Sequence, residues 1–241
     1  MNASTADQQL LQILSGSVVN AIADVITTME AMDAVLPNND GLKWFNLLYL
    51  NVTKEVDTHP PQGGWEDPPW LTRLDVVFAQ LYFGAVKNWL LNSGNVPSSW
   101  QALFEARFTD GIDRIQFALA GMNAHINHDL ALALLQADSE LNIVPSKASP
   151  ERDDFEHVNE LLEAVLPLAL QFLAAGIVGE LAQDTGKIGR FLAIWNVRAA
   201  RDLAWDFADN LRPLSGIARN VALATQDGIT GALGRSLLLH G

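Results

Sequence analysis

The chain has no cysteine, little charge and no long apolar run, and each absence removes a class of protein. Without cysteine there is no disulfide framework, no thiolate metal site and no cysteine nucleophile. Charged residues make up only 18% of the 241 residues and hydrophobic ones 49%. A disordered chain shows the opposite balance. Basic residues are scarce: 15 Lys+Arg against 28 Asp+Glu leave a net charge of -13. Nucleic acid and anionic membrane surfaces both repel such a polyanion, so no nucleic-acid partner is expected. The longest apolar stretch, residues 164–179, covers 16 positions and includes Pro167 and Gly176. Membrane insertion is not expected of it, because a span needs ~20 residues. It reads instead as a buried helix, bent at Pro167 where an amide donor is missing. The first residues, Met1-Asn2-Ala3-Ser4-Thr5-Ala6-Asp7, carry no basic n-region, so a cytoplasmic protein is the expectation. Asn51-Val52-Thr53 matches the glycosylation triplet and, without an export signal, reads as chance.

Familiar catalytic motifs are missing too. Gly186-Lys187 looks like the end of a phosphate-binding loop, but Leu181 stands where its first glycine belongs and Ile188 where Ser or Thr belongs. There is no Gly-x-Ser-x-Gly, no His-Glu-x-x-His and no Gly-x-Gly-x-x-Gly. His157-x-x-Glu160 reverses the order used by carboxylate di-iron bundles.

What is present is helical periodicity, without strand alternation. One helix is expected from Gln8 to Leu36, stopped by Pro37-Asn38-Asn39-Asp40-Gly41. A second runs from Leu42 to Val56 with Phe45, Tyr49, Val52 and Val56 on one stripe. Residues 58–69 form a long loop, a candidate lid or rim. Pro68-Pro69 opens a helix to Leu91, and Ser98-Ser99-Trp100-Gln101 has the spacing of a capping box for a helix to Phe108. Further helices are expected over Asp110–Ala137, from Ser149-Pro150 to Ala182, from Ile188 to Leu211 after a break at Asp184-Thr185-Gly186, and weakly to Leu239. With no linker or repeat, the expectation is one all-α domain of about seven or eight helices over residues 1–241.

The densest polar cluster on an expected core helix lies at residues 121–130. His125 and Asp129 are four apart and share a face; His128 borders it, and Asn123 and Asn127 lie on an adjoining stripe. Gly121, one turn before His125, costs about 1 kcal/mol of helix stability and suggests close approach of a backbone or a ligand. Three readings fit: a satisfied buried network, a general acid/base His125 oriented by Asp129, or a divalent transition metal held by His125 and Asp129. The metal needs a further ligand, for which His128, His157 with Glu160, or His59 are available. A second constellation places Trp195, Arg198, Asp202 and Trp205 on one helix face, with Arg201 beside Trp205. It is either a packing seam with an Arg198–Asp202 pair or a site where arginine binds an oxyanion. Asp75, in the helix that also offers Phe78 and Tyr82, could pair with Arg198 or Arg201, or orient His125.

The run Ala120-Gly121-Met122-Asn123-Ala124-His125-Ile126-Asn127-His128-Asp129-Leu130 resembles the signature of an uncharacterised, mainly bacterial, all-helical family, a domain of unknown function. Phe45-Asn46-Leu47-Leu48-Tyr49 with Val52-Thr53, Leu74-Asp75 through Phe78 to Tyr82-Phe83, and Trp195-Asn196-Val197-Arg198 with Ala200-Arg201 and Ala204-Trp205 resemble further parts of its pattern. The resemblance implies that His125, Asn123, Asn127, Asp129, Asp75, Arg198 and Arg201 share one site, with His128 and His157 less characteristic of it. It carries no activity.

Taken together, a small-molecule enzyme is expected, acting without cofactor by proton transfer (cyclisation, isomerisation or elimination) on a largely hydrophobic molecule. His125, Asp129, Asp75, Arg198 and Arg201 are its expected catalytic residues; Asn123, Asn127, Tyr49, Tyr82, Trp195 and Trp205 line the substrate. A metal-dependent hydrolase or oxidase using His125, Asp129 and His128 is one alternative. A non-catalytic binder of an apolar ligand is another. A homo-oligomer is left open.

Overall fold

The computed structural model describes residues 4–175 and 196–239, and the described residues form helices without a strand. In chain order these are α1 (Thr5–Gly16), α2 (Ile22–Val35), α3 (Gly41–Thr58), α4 (Pro68–Leu91), α5 (Ser98–Ala106) and α6 (Arg114–Ala124). A single π-helical turn (His125–Asp129) joins α6 to α7 (Leu130–Leu141), followed by α8 (Pro150–Ala175), α9 (Val197–Leu211) and α10 (Gly216–Leu237). No described helix is long and apolar enough to cross a membrane.

Local chemistry explains most of the boundaries. Asp40 and Asp67 accept from the first-turn amides of Leu42 and Trp70, and prolines open α4 and α8. Asn92 and Asn142 end α4 and α7 in the left-handed conformation. Pro167 lies inside α8, as expected.

Several expectations are corrected. The single helix over Gln8–Leu36 is two, because the chain leaves helical geometry between Ser17 and Ala21 and buries Val19 there. No capping box forms at Ser98. The amides of Ser98 and Ser99 donate instead to the two carboxylate oxygens of Asp227 on α10, at 2.8 and 2.9 Å. A helix unbroken from Ile188 to Leu211 is excluded by Asn196, an extended residue whose side chain caps Ala199. The last helix is a full 22 residues, not a weak one. The expected end of α8 at Ala182, the break at Asp184-Thr185-Gly186 and Trp195 lie outside the described residues.

The α6–π–α7 segment runs through the middle of the bundle. It packs against α3, α4, α5, α8, α9 and α10, so most of its side chains are buried. Aromatic rings fill the space around it, with Trp70, Trp100, Trp205, Tyr82 and Phe45 among the largest fully or almost fully buried side chains. The loop after α3 does not line the central cavity described below. It is strapped to α8, where the buried Asp154 accepts the amides of Glu66 and Asp67, both at 2.7 Å.

Candidate functional site

At His125 the helix widens by one residue, and the amide of Leu130 reaches back to the His125 carbonyl. Such turns are frequent at functional sites. One turn earlier the chain is packed closely: a Cβ on Gly121 would lie 2.3 Å from Cγ of Phe45. The close neighbour inferred from this glycine is therefore a ring of α3, neither backbone nor ligand. Phe78 of α4 stacks on the imidazole, with centroids 3.5 Å apart and planes within 5°. Tyr49 meets it edge-on at 4.5 Å.

His125 Nδ1 lies 3.0 Å from Oδ2 of Asp129. The same oxygen accepts Nε1–H of Trp100 at 2.9 Å, and Oδ1 faces Nδ1 of His128 at 2.7 Å. Burial works to raise the Asp129 pKa, but the hydrogen bonds from His125 and His128 outweigh it and hold it below the ordinary carboxylate value. For His125 burial dominates and lowers the pKa, with Arg201 adding to it and Asp129 opposing. At neutral pH the ring is thus uncharged, with Nδ1–H donating to a carboxylate. Nε2 carries the lone pair and, although buried, has no hydrogen-bond partner.

That ring borders a narrow, partly open cavity. Leu48, Val52 and Val56 of α3 and Val158, Leu162 and Leu166 of α8 form much of its wall. Its polar groups are Tyr49, Thr53, Asp75, His125 and Arg201. Tyr49 bonds Thr53, and burial pushes its pKa well up, so the phenol stays protonated. Asp75 Oδ2 is buried without a partner. Burial raises its pKa to about 7 against the opposing charge of Arg201, with Asp57 adding to the rise. Arg201 is lowered to about 10 by burial despite Asp75, and remains a cation. Its Nε donates to Oδ1 of Asn159.

An unpartnered carboxyl in such a place costs stability. Its folded pKa lies above the unfolded value of 3.8, so the penalty is absent below about pH 4, builds as pH rises to about 7 and is constant above. Asp75→Asn is therefore expected to stabilise the fold by on the order of 2–4 kcal/mol near pH 8, a gain vanishing toward pH 4. Urea titrations across pH check this; an Asn variant no more stable than wild type at pH 8 contradicts it.

Of the expected site residues, the cavity gathers His125, Asp75, Arg201 and Tyr49, with Asp129 directly behind His125. The others lie elsewhere. Arg198 points outward and pairs with Glu156 and Glu163, while Asp202 pairs with Arg152 instead of Arg198. Asn123 donates to the Thr230 carbonyl and Asn127 to Asn123, so both fasten α10. Tyr82 lies behind the wall, donating to Asn46 and stacked on Trp100. Trp205 packs on Trp70 and Phe155 away from the cavity. Asp75 forms no ion pair with Arg198 or Arg201 and does not orient His125, a task that falls to Asp129. Both Asp129 oxygens are occupied by the bonds to His125, Trp100 and His128, and among the described residues no three His, Cys, Asp or Glu side chains converge as metal ligands. His59 lies on Glu55 and Thr58, and His157 on the Asp153 carbonyl.

Sequence reasoning missed Phe78 as the platform of His125, Trp100 as the further donor to Asp129, and Asn159 as the partner of Arg201. Phe78 had a signal in its i,i+3 spacing from Asp75, as did Thr53 in its i,i+4 spacing from Tyr49.

A family model described as Family of unknown function (DUF5995) matches residues 22–240. No curated protein and no solved structure matches the chain.

Proposed function

The chain belongs to that family of unknown function, and from its own residues we propose that the central cavity is the active site of a cofactor-independent proton-transfer enzyme acting on a small, largely apolar molecule. One observation carries the reading: a neutral histidine whose Nδ1 is locked on a carboxylate while its buried Nε2 has no partner, at the edge of a cavity. A structural histidine at this depth normally satisfies both nitrogens. Nε2 of His125 is the base that takes a proton from carbon. Asp129 fixes the tautomer and stabilises the imidazolium that forms. Arg201 faces the oxyanion or enolate that develops, and Asp75, poised near neutrality, returns a proton at a second position. Isomerisation, cyclisation and elimination all need this pair of a base and an acid in a water-poor space.

The test is hydrogen–deuterium exchange. Small alkyl and aryl ketones, esters and carboxylic acids are incubated with the protein in heavy water, and loss of the proton beside the carbonyl is followed by NMR. His125→Gln, close in volume and uncharged, is the comparison. Wild type is expected to exchange at least one compound, and the variant to do so roughly 10²–10⁴-fold more slowly while keeping its circular dichroism spectrum. Equal rates across the panel overturn the reading. Ligand-induced stabilisation without exchange points instead to a binding protein.

A further inference from the structure

We propose that the cavity takes an apolar monocarboxylate, whose carboxylate replaces Asp75 as the counter-ion of Arg201 while one proton from solvent is taken up by Asp75. This rests on the cavity being the functional site and names the class of molecule it holds. Arg201 is 5% exposed, its Nε rests on the neutral amide of Asn159, and its guanidinium lies 4.3 Å from the centroid of the Phe155 ring. A cation so deeply buried needs a negative charge nearby, and Asp75 is the carboxylate that shares its cavity. Yet the two form no ion pair, and Asp75 Oδ2 has no hydrogen-bond partner. Asp202 and Glu156 act on Arg201 from outside the cavity, with Arg152 opposing them, so on the cavity side its counter-ion position is only loosely filled.

The surroundings favour exchange of one anion for another. Arg201 of α9 and Asp57 of α3 are the charges acting on Asp75. Tyr49 of α3 and His125 of the π turn share the cavity and are neutral at pH 7, and α8 contributes Val158, Leu162 and Leu166. Two carboxylates beside one guanidinium in that enclosure cannot both stay ionised. The group already closer to neutrality, Asp75, takes the proton. Its new O–H donates to the incoming carboxylate and satisfies the oxygen that had no partner. No bond changes except that O–H, and the proton comes from the buffer. The aliphatic walls hold the remainder of the acid. Binding in this manner also loads a general acid opposite His125.

The experiment is titration calorimetry of the full chain with phenylacetate and straight-chain acids from butyrate to decanoate, each beside its primary amide. Measurements near pH 8 in phosphate and in Tris read proton uptake from the difference in heat. A carboxylate is expected to bind at least about tenfold more tightly than its amide. Uptake should approach roughly one proton near pH 8 and fall away near pH 5.5, where Asp75 is already protonated, so affinity weakens as pH rises above about 7. Asp75→Asn should retain carboxylate binding and lose the buffer dependence; Arg201→Gln should lose the preference for carboxylate over amide. Equal affinity for acid and amide, absence of proton uptake in wild type, or failure of every acid to bind overturns the inference. None of these touches the enzyme reading, which fails separately if neutral ketones and esters as well as acids show no His125-dependent exchange.

Discussion

Asp129→Asn is expected to slow proton exchange by roughly 10³-fold, close to the loss from removing His125 itself. The carboxylate accepts from His125, Trp100 and His128 at once, and an amide has one acceptor oxygen for them. Whichever way the amide turns, its NH₂ meets a donor. If it faces His125, the imidazole relieves the clash by moving its proton to Nε2, the nitrogen that must be bare to act as base. If it faces His128, the charge that stabilises imidazolium is still gone. The first arrangement also leaves Trp100 Nε1–H unsatisfied at about 1–3 kcal/mol, so a loss of stability accompanies the loss of rate there. Nitrogen-15 NMR of the histidines separates the two effects. Wild type should show His125 protonated at Nδ1 across neutral pH, and the variant a shifted tautomer. A variant that keeps the wild-type tautomer and rate sinks the assignment of Asp129 as the positioning group.

The His125–Asp129 pair was legible because i,i+4 spacing survives even where the helix widens. The π turn itself was not legible, since one extra residue in a turn leaves no mark on apolar periodicity over so short a span. The same arithmetic explains why Arg198 and Arg201 could not be told apart. They are three residues apart, about 300° around a helix, and only packing decides which of them faces inward. Once Asn196 caps α9, Arg201 turns toward the cavity and Arg198 toward Glu156 and Glu163. Asn123 and Asn127 carried equal promise by composition. Asn123 bonds the Thr230 carbonyl 107 residues away on α10, a separation that no local pattern reveals, and Asn127 is spent on Asn123 one turn back. The break between α1 and α2 was hidden for a related reason: Val18 and Val19 continue the apolar rhythm while the backbone is extended, and the core accepts Val19 regardless. By contrast, the stripe Phe45, Tyr49, Val52 and Val56 is the cavity wall contributed by α3. Amphipathic periodicity marked the inward face correctly, but could not say whether that face meets protein or space.

Arg107→Met is expected to remove about 3–5 kcal/mol of stability. Arg107 is 3% exposed and Asp40 fully buried. Nε of the arginine donates to Oδ1 of Asp40, and Nη2 donates to Oδ2 of Asp40 and to Asp7 on α1. Burial opposes the charge on Arg107, yet its bonds to Asp40 raise its pKa above normal, so the guanidinium keeps its charge. The backbone carbonyl of Arg107 also accepts Gly41 N–H at 2.7 Å, and Asp40 caps Leu42. One arginine therefore holds the first turn of α3, the helix that carries Tyr49 and much of the cavity wall. Without it, Asp40 is left as a buried carboxylate with only the Leu42 amide to answer it. The double variant Asp40→Asn/Arg107→Met should recover much of the loss, because asparagine still caps the helix and no charge is stranded. Urea denaturation of the three proteins measures this directly. Because the pair is shielded from solvent, the difference between wild type and Arg107→Met should persist in molar salt, unlike that of the exposed Arg235–Glu105 pair. A loss under about 1 kcal/mol, or one erased by salt, would mean that α3 is fixed by its apolar contacts alone and that the buried pair adds nothing to the positioning of the cavity.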